Sequence, residues 1–232
     1  MEKKRDSPIN IQELEKIKKT ITQHSPFLQK TKIIAVTKTR PVEAIKTAIE
    51  NKLLIIGENQ VQEAEKKLKD HDHIKEKIEI HLIGHLQSNK AKKAVSFFDV
   101  IQTVDSIKIL NKINTQAEKI KKQQKIYLQI NIGKDENKYG FSDTAALAVC
   151  SKIKEYKNIF LKGIMTILPQ GKSKAENKKL FIQTLKLQKE IQKKYVPLCT
   201  DTSMGMSGDY TEAIKAGATH IRIGSALFGK RQ

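Results

Sequence analysis

Two periodicities alternate along this chain. Short runs of consecutive aliphatic and β-branched residues give way to longer stretches in which apolar residues recur every three or four positions, the pattern of strands interleaved with amphipathic helices. Ile11, Leu14, Ile17 and Ile21 form a helix-spaced stripe ahead of the first run, so the chain opens on an extra helix. KIIAV at 32–36 then reads as a strand, and Pro41 introduces a helix with Val42, Ile45, Ala48 and Ile49 on one face. The alternation continues with strand-like runs at 53–56, 78–83, 97–104, 125–132, 158–167, 195–200 and 219–224, separated by helical stretches such as the one carrying Ile107, Leu110, Ile113, Ala117 and Ile120. Eight strand–helix units with no Pro/Gly/Ser-rich linker predict an α/β fold, a single (β/α)8 barrel domain over residues 1–232, with functional groups at the C-terminal strand ends. An open doubly wound sheet is the main rival.

Composition narrows the class. The 232 residues carry a net charge of +19, which invites a nucleic-acid reading. The 40 lysines and 4 arginines are nevertheless spread over predicted helix surfaces among Glu and Gln rather than gathered in one stripe, so a solvated surface is expected and no specific nucleic acid. The polar start MEKKRDSPIN and the absence of a long apolar run predict a cytoplasmic protein that makes no use of a membrane. Cys150 and Cys199 lack both disulfide and metal spacing and are expected as buried thiols. Helix surfaces this rich in lysine favour a monomer.

Two basic residues stand where strand alternation puts core residues. Ile34, Val36 and Lys38 share one strand face, so Lys38 sits at the C-terminal end of the first strand pointing inward. There its amine is disfavoured as an ammonium and free to attack an aldehyde. In THIRIG, His220 and Arg222 share a face, and in a chain that uses lysine for almost every positive charge an inward arginine is telling. A buried arginine paired to an inward carboxylate is the plain structural alternative. The Gly-bearing segments SMGMS at 203–207 and GSALFG at 224–229 follow the last two strands, where barrels commonly hold a phosphate, with the Ser203, Ser207 and Ser225 hydroxyls as donors. His71 and His73 read as surface residues, His81 and His85 lack the further ligands of a zinc site, and no metal is expected. His85, at a strand terminus, could approach a ligand at the barrel mouth.

Five motifs in order, AVTKTRP at 35–41, IGENQVQEA at 56–64, HLIGHLQSNK at 81–90, SMGMSGD at 203–209 and IRIGSALFGKR at 221–231, closely resemble the YggS/PROSC pyridoxal phosphate homeostasis protein family. The resemblance runs from about residue 10 to the C-terminus. It implies the fold of the alanine racemase N-terminal domain and pyridoxal 5′-phosphate as cofactor, held as a Schiff base on Lys38. It further implies Arg222 near the pyridine nitrogen, Asn59 beside the cofactor, and Ser203, Met204, Gly224 and Ser225 in the cofactor site, the Ser203, Gly224 and Ser225 positions around its phosphate. Lys138, in ENKYGF, matches a family lysine near the site that could act as a second acceptor or shuttle. Thr37 and Ser225 depart from the commoner Ser and Thr of the family but keep a hydroxyl.

The same residues suggest a holder rather than a catalyst. A cofactor used as a strong electron sink usually has a carboxylate at its pyridinium nitrogen, whereas Arg222 can only donate and would leave that nitrogen unprotonated. Alanine racemases share that arginine, but they add a tyrosine base from a separate C-terminal β domain, and this chain stops soon after the last predicted strand. No catalytic residue is therefore assigned. The expectation is a protein of intracellular cofactor homeostasis that delivers pyridoxal phosphate, PLP-dependent apoenzymes being the recipients. A weak amino-acid racemase or lyase, and a phosphate-sugar barrel enzyme that uses Lys38 without the cofactor, are the alternatives.

Overall fold

A computed structural model describes residues 9–27, 31–136 and 138–229. The polar start over 1–8 and the Lys230 and Arg231 of the fifth motif lie outside them. Eight parallel strands, β1 (Lys32–Val36), β2 (Ile55–Glu58), β3 (Glu79–Leu82), β4 (Val100–Val104), β5 (Gln124–Ile130), β6 (Ile159–Thr166), β7 (Asp201–Met206) and β8 (His220–Ile223), follow one another around a closed barrel. β8 pairs back onto β1 with Ile34 opposite Arg222. The open-sheet alternative is thereby excluded.

Helices α1 (Ile11–His24), α2 (Val42–Glu50), α3 (Val61–Leu68), α4 (Asp72–Lys75), α5 (Ala91–Phe97), α6 (Ile107–Lys119), α7 (Asp143–Ser151), α8 (Lys174–Lys194), α9 (Tyr210–Lys215) and α10 (Ser225–Phe228) form the outer layer. Leu14 and Ile17 bury the inner face of α1 against α9 and α10, and the Asn10 side chain caps its first turn by accepting from the Glu13 N–H. α8, the longest helix, starts at a capping box in which Ser173 and Glu176 satisfy each other's backbone N–H. Most of the apolar core lies between strands and helices, with Ile56, Ile101, Leu128 and Ile221 facing outward into it; Val100, Tyr127 and Met165 form a separate cluster inside the barrel.

The expected strand at 195–200 is displaced. Tyr195 ends α8 and YVPLCT is a connection, because Pro197 has no N–H to give a ladder and Leu198 is 63% exposed. The strand is the next segment, DTSMGM, so most of SMGMS lies within the strand it was expected to follow. The expected strand at 97–104 also starts later, since Phe97 completes α5. Cys150 and Cys199 are buried free thiols, and burial pushes the Cys150 thiol up to about 12. No described helix is long and apolar enough to cross a membrane.

Candidate functional site

At the C-terminal end of the barrel the inward positions leave a cavity of about 470 Å3. Val36 at the end of β1 and Lys38 just after it, Asn59 after β2, Arg222 from β8 and Gly224 just after β8 line it, which is where parallel barrels place their chemistry. Ile83 and Ile167 supply apolar wall, while Ser207, Gly208 and Ser225 line the side formed by the segments after β7 and β8. Lys38, Arg222, Gly224 and Ser225 thus converge on one cavity, as their positions at the strand ends predict, and Asn59 joins them as the resemblance implies. Backbone contact fixes Asn59: a Cβ added to Gly84 would lie 2.2 Å from the Asn59 carbonyl oxygen, so only glycine lets the β2 and β3 ends approach so closely.

Arg222 is buried. One guanidinium nitrogen donates to the Ser203 hydroxyl at 2.9 Å and the other to the Thr166 carbonyl at 2.8 Å. No carboxylate of the described residues lies within ion-pair distance of it, so the structural alternative of an inward carboxylate partner does not hold. Burial lowers the guanidinium to about 10, still charged at neutral pH. Below it runs a directional chain of hydrogen bonds. Ser203 donates to Gln102 Oε1 at 2.6 Å, the Gln102 amide donates to His81 Nδ1 at 2.7 Å, and His81 Nε2 donates to Glu79 at 2.6 Å. Burial keeps His81 neutral against the pull of Glu79, and the hydrogen bond from His81 holds the Glu79 carboxyl down to about 2. Four strands are tied across the bore by this chain, which ends on the cavity floor.

Ser203 and Met204 are placed differently from the expectation. Because β7 begins later than predicted, both lie within the strand and are buried. The Ser203 hydroxyl is committed to Arg222 and Gln102, and Met204 packs into the outer core, so neither side chain lines the cavity. The hydroxyls that do line it are those of Ser207 and Ser225. Gly205 makes the turn of the chain possible there: its φ is +89°, and a Cβ would meet Ala213 Cβ at 2.4 Å. Asp209 then accepts the Met206 N–H at 2.6 Å, and Ser207 Oγ accepts the Ala226 N–H at 3.2 Å, joining the two Gly-bearing segments.

Arg40 also lines the cavity, its guanidinium donating to the Gly229 carbonyl at 2.7 Å. Sequence reasoning missed it, although the scarcity of arginine that singled out Arg222 applied equally here. His85 stands to one side, its Nδ1 2.9 Å from Asp105 and its ring stacked on Tyr139 at 4.2 Å. Lys138 donates to the Leu168 carbonyl at 2.6 Å and is not part of the cavity wall. Among the described residues no cluster of His, Cys, Asp or Glu could hold a metal ion.

The model of the alanine racemase N-terminal domain family matches residues 9–232. A curated pyridoxal phosphate homeostasis protein of Synechocystis sp. is 38% identical over 200 residues, covering 86% of this chain and 91% of that one. Its human counterpart is 33% identical over 210 residues, covering 86% and 76%. Among solved structures, PipY of Synechococcus elongatus with PLP bound superposes with a TM-score of 0.83 at 33% identity, covering 94% of this chain and 99% of that one. An alanine racemase of Clostridium difficile 630 shares the fold at a TM-score of 0.72 and 16% identity, this chain covering 58% of it.

Proposed function

The chain belongs to the alanine racemase N-terminal domain family, and within it to the pyridoxal phosphate homeostasis proteins; from that premise we propose that it binds pyridoxal 5′-phosphate through Lys38 and holds it for release or delivery. The observation that carries the reading is the shared cavity of Lys38 and Arg222, an amine together with a buried guanidinium whose N–H groups go to Ser203 and Thr166. The donor set fits the cofactor. A guanidinium on the floor offers N–H groups to a ring nitrogen that accepts, Ser207 and Ser225 with the backbone around Gly208 and Gly224 suit a phosphate, and Asn59 and Ile83 flank the remaining wall. Bound there, the cofactor supplies an aldehyde carbon that an amine can take and give back.

What the protein's own residues do favours holding. Arg222 is always a donor and, anchored to Ser203 and Thr166, cannot protonate a ring nitrogen, so it leaves the ring a weak electron sink. Lys38 serves as a reversible tether, with no residue assigned to acid–base catalysis on a substrate. The reading takes residues 1–232 as one domain, a cytoplasmic monomer, and PLP-dependent apoenzymes as recipients. Mixing the loaded protein with an apoenzyme of that class tests it: recovery of the recipient's activity is expected, with no α-proton exchange in added amino acids. Rapid exchange lost in Lys38→Ala would favour a racemase instead.

A further inference from the structure

The strand ends that present Lys38 and Asn59 inward present Thr37 and Glu58 outward, because neighbouring side chains alternate. Both outward residues are buried beneath α3, and Glu58 is 0% exposed. Lys67, on α3 and with a side chain only 6% exposed, joins them: its ammonium donates to Glu58 Oε1 at 2.6 Å, to the Thr37 carbonyl at 2.7 Å and to Glu63 Oε1 at 3.1 Å. The Thr37 hydroxyl donates to the same Glu58 oxygen at 2.6 Å. Glu63 in turn accepts the Thr39 N–H, on the far side of Lys38, where Thr39 takes a left-handed φ of +61°. Lys38 is therefore bracketed by the Thr37 carbonyl, which the Lys67 ammonium holds, and the Thr39 N–H, which Glu63 holds, while Glu58 grips the Thr37 hydroxyl.

We infer that Lys67 is a positioning residue for the cofactor site: with Glu58 and Glu63 it clamps the backbone on both sides of Lys38 from outside the barrel, so that the amine keeps its bearing on the cavity. The inference rests on the reading of Lys38 as the tether. Stability alone is a poor reason for such a cluster, because a buried ion pair barely repays its desolvation and is often replaceable by apolar side chains. Burial pushes the Glu58 carboxyl above its ordinary range, and its Oε2 has no hydrogen-bond partner among the described residues. The cluster is costly to bury, and its bonds are concentrated on the residues that flank the tether.

Trapping kinetics test this. The Lys38 amine adds to the aldehyde carbon of pyridoxal phosphate with loss of one water, and borohydride then delivers hydride to that carbon, fixing the link. Wild type, Lys67→Met, Lys67→Arg and the double variant Glu58→Gln/Lys67→Met, which removes the fully buried carboxylate together with its ammonium and leaves only the part-exposed Glu63 without that partner, are compared. In the double variant the rate of trapping at Lys38 is expected to fall about tenfold or more, as misplacement of a reacting group does. Lys67→Arg, which keeps the cation, is expected to recover much of it. The affinity for pyridoxine 5′-phosphate, which lacks the aldehyde, stays within about twofold, because the segments after β7 and β8 are untouched; a general collapse would weaken both. Wild-type trapping rates in a folded double variant overturn the inference and leave the tether reading standing. No adduct in wild type overturns both.

Discussion

At the C-terminal end of the barrel Lys38, Asn59 and Arg222 leave about 470 Å3 open between them, whereas two residues earlier along the strands the same bore is filled by Tyr127, His81, His220 and Met165. The filling is polar but closed: Tyr127 donates to Asp201 at 2.9 Å, His220 meets Tyr127 edge-on at 6.0 Å, and Gln102 bridges Ser203 to His81. Open end and closed end share one residue, Arg222, which lines the cavity above and bonds to Ser203 below. The difference teaches how a barrel keeps an arginine charged without a direct ion pair: burial works against the charge, Asp209 favours it through space, and Ser203 and Thr166 take its N–H groups. From Ser203 a run of aligned hydrogen bonds continues through Gln102 and His81 to Glu79 at the other mouth.

Acid should break the closed end first, with the largest effect. Burial depresses His220 to about 3 from 6.5, so between those values the unfolded chain binds the proton and the folded chain does not. Stability is full above pH 6.5 and falls as the pH drops toward 3, with Glu79, held at about 2, adding to the loss below 4.5. Urea melts at pH 7, 5 and 4 check this, and a His220→Gln variant is expected to flatten the upper part of the fall; a flat wild-type profile would contradict the buried neutral imidazoles.

Arg222→Met opens the contact between the two ends. Losing charged hydrogen bonds weakens binding by about 2 kcal/mol, roughly thirtyfold in Kd for pyridoxal phosphate, measured by absorbance titration. Gln102→Leu spares the cavity wall but leaves His81 Nδ1 without its donor and the Ser203 O–H without its acceptor, which costs about 1–2 kcal/mol in thermal unfolding. Nitrogen NMR of the ligand-free wild type is expected to show His81 protonated on Nε2, the form the chain requires. The smallest effect belongs to a cap beyond the cavity wall, three residues past the lining Gln170: Ser173→Ala removes the α8 capping box for about 1 kcal/mol and leaves cofactor affinity nearly unchanged.

Most of the fold was legible because the switch from period two to period 3.6 recurs at every unit. It failed at YVPLCT and DTSMGM, where composition misled: Val196, Leu198 and Cys199 look like a strand but carry Pro197, while Ser203, Gly205 and small neighbours look like a turn. That strand is polar because Ser203 faces the arginine inside the bore, and glycine-bearing because α9 crowds Gly205. The convergence of Lys38 and Arg222 was legible from strand parity. The supports were not, since Thr37 reaches Glu58 across 21 residues and Ser203 reaches Gln102 across 101. Such pairs exist only once the barrel closes.

The most direct test of the central claim is chemical. The protein is loaded with pyridoxal phosphate, reduced with borohydride and digested, and the modified peptide is identified by mass. The account predicts one stoichiometric adduct, on Lys38, despite the 39 other lysines, and its disappearance in Lys38→Ala. No adduct, or label scattered over surface lysines with Lys38 unmodified, would contradict it.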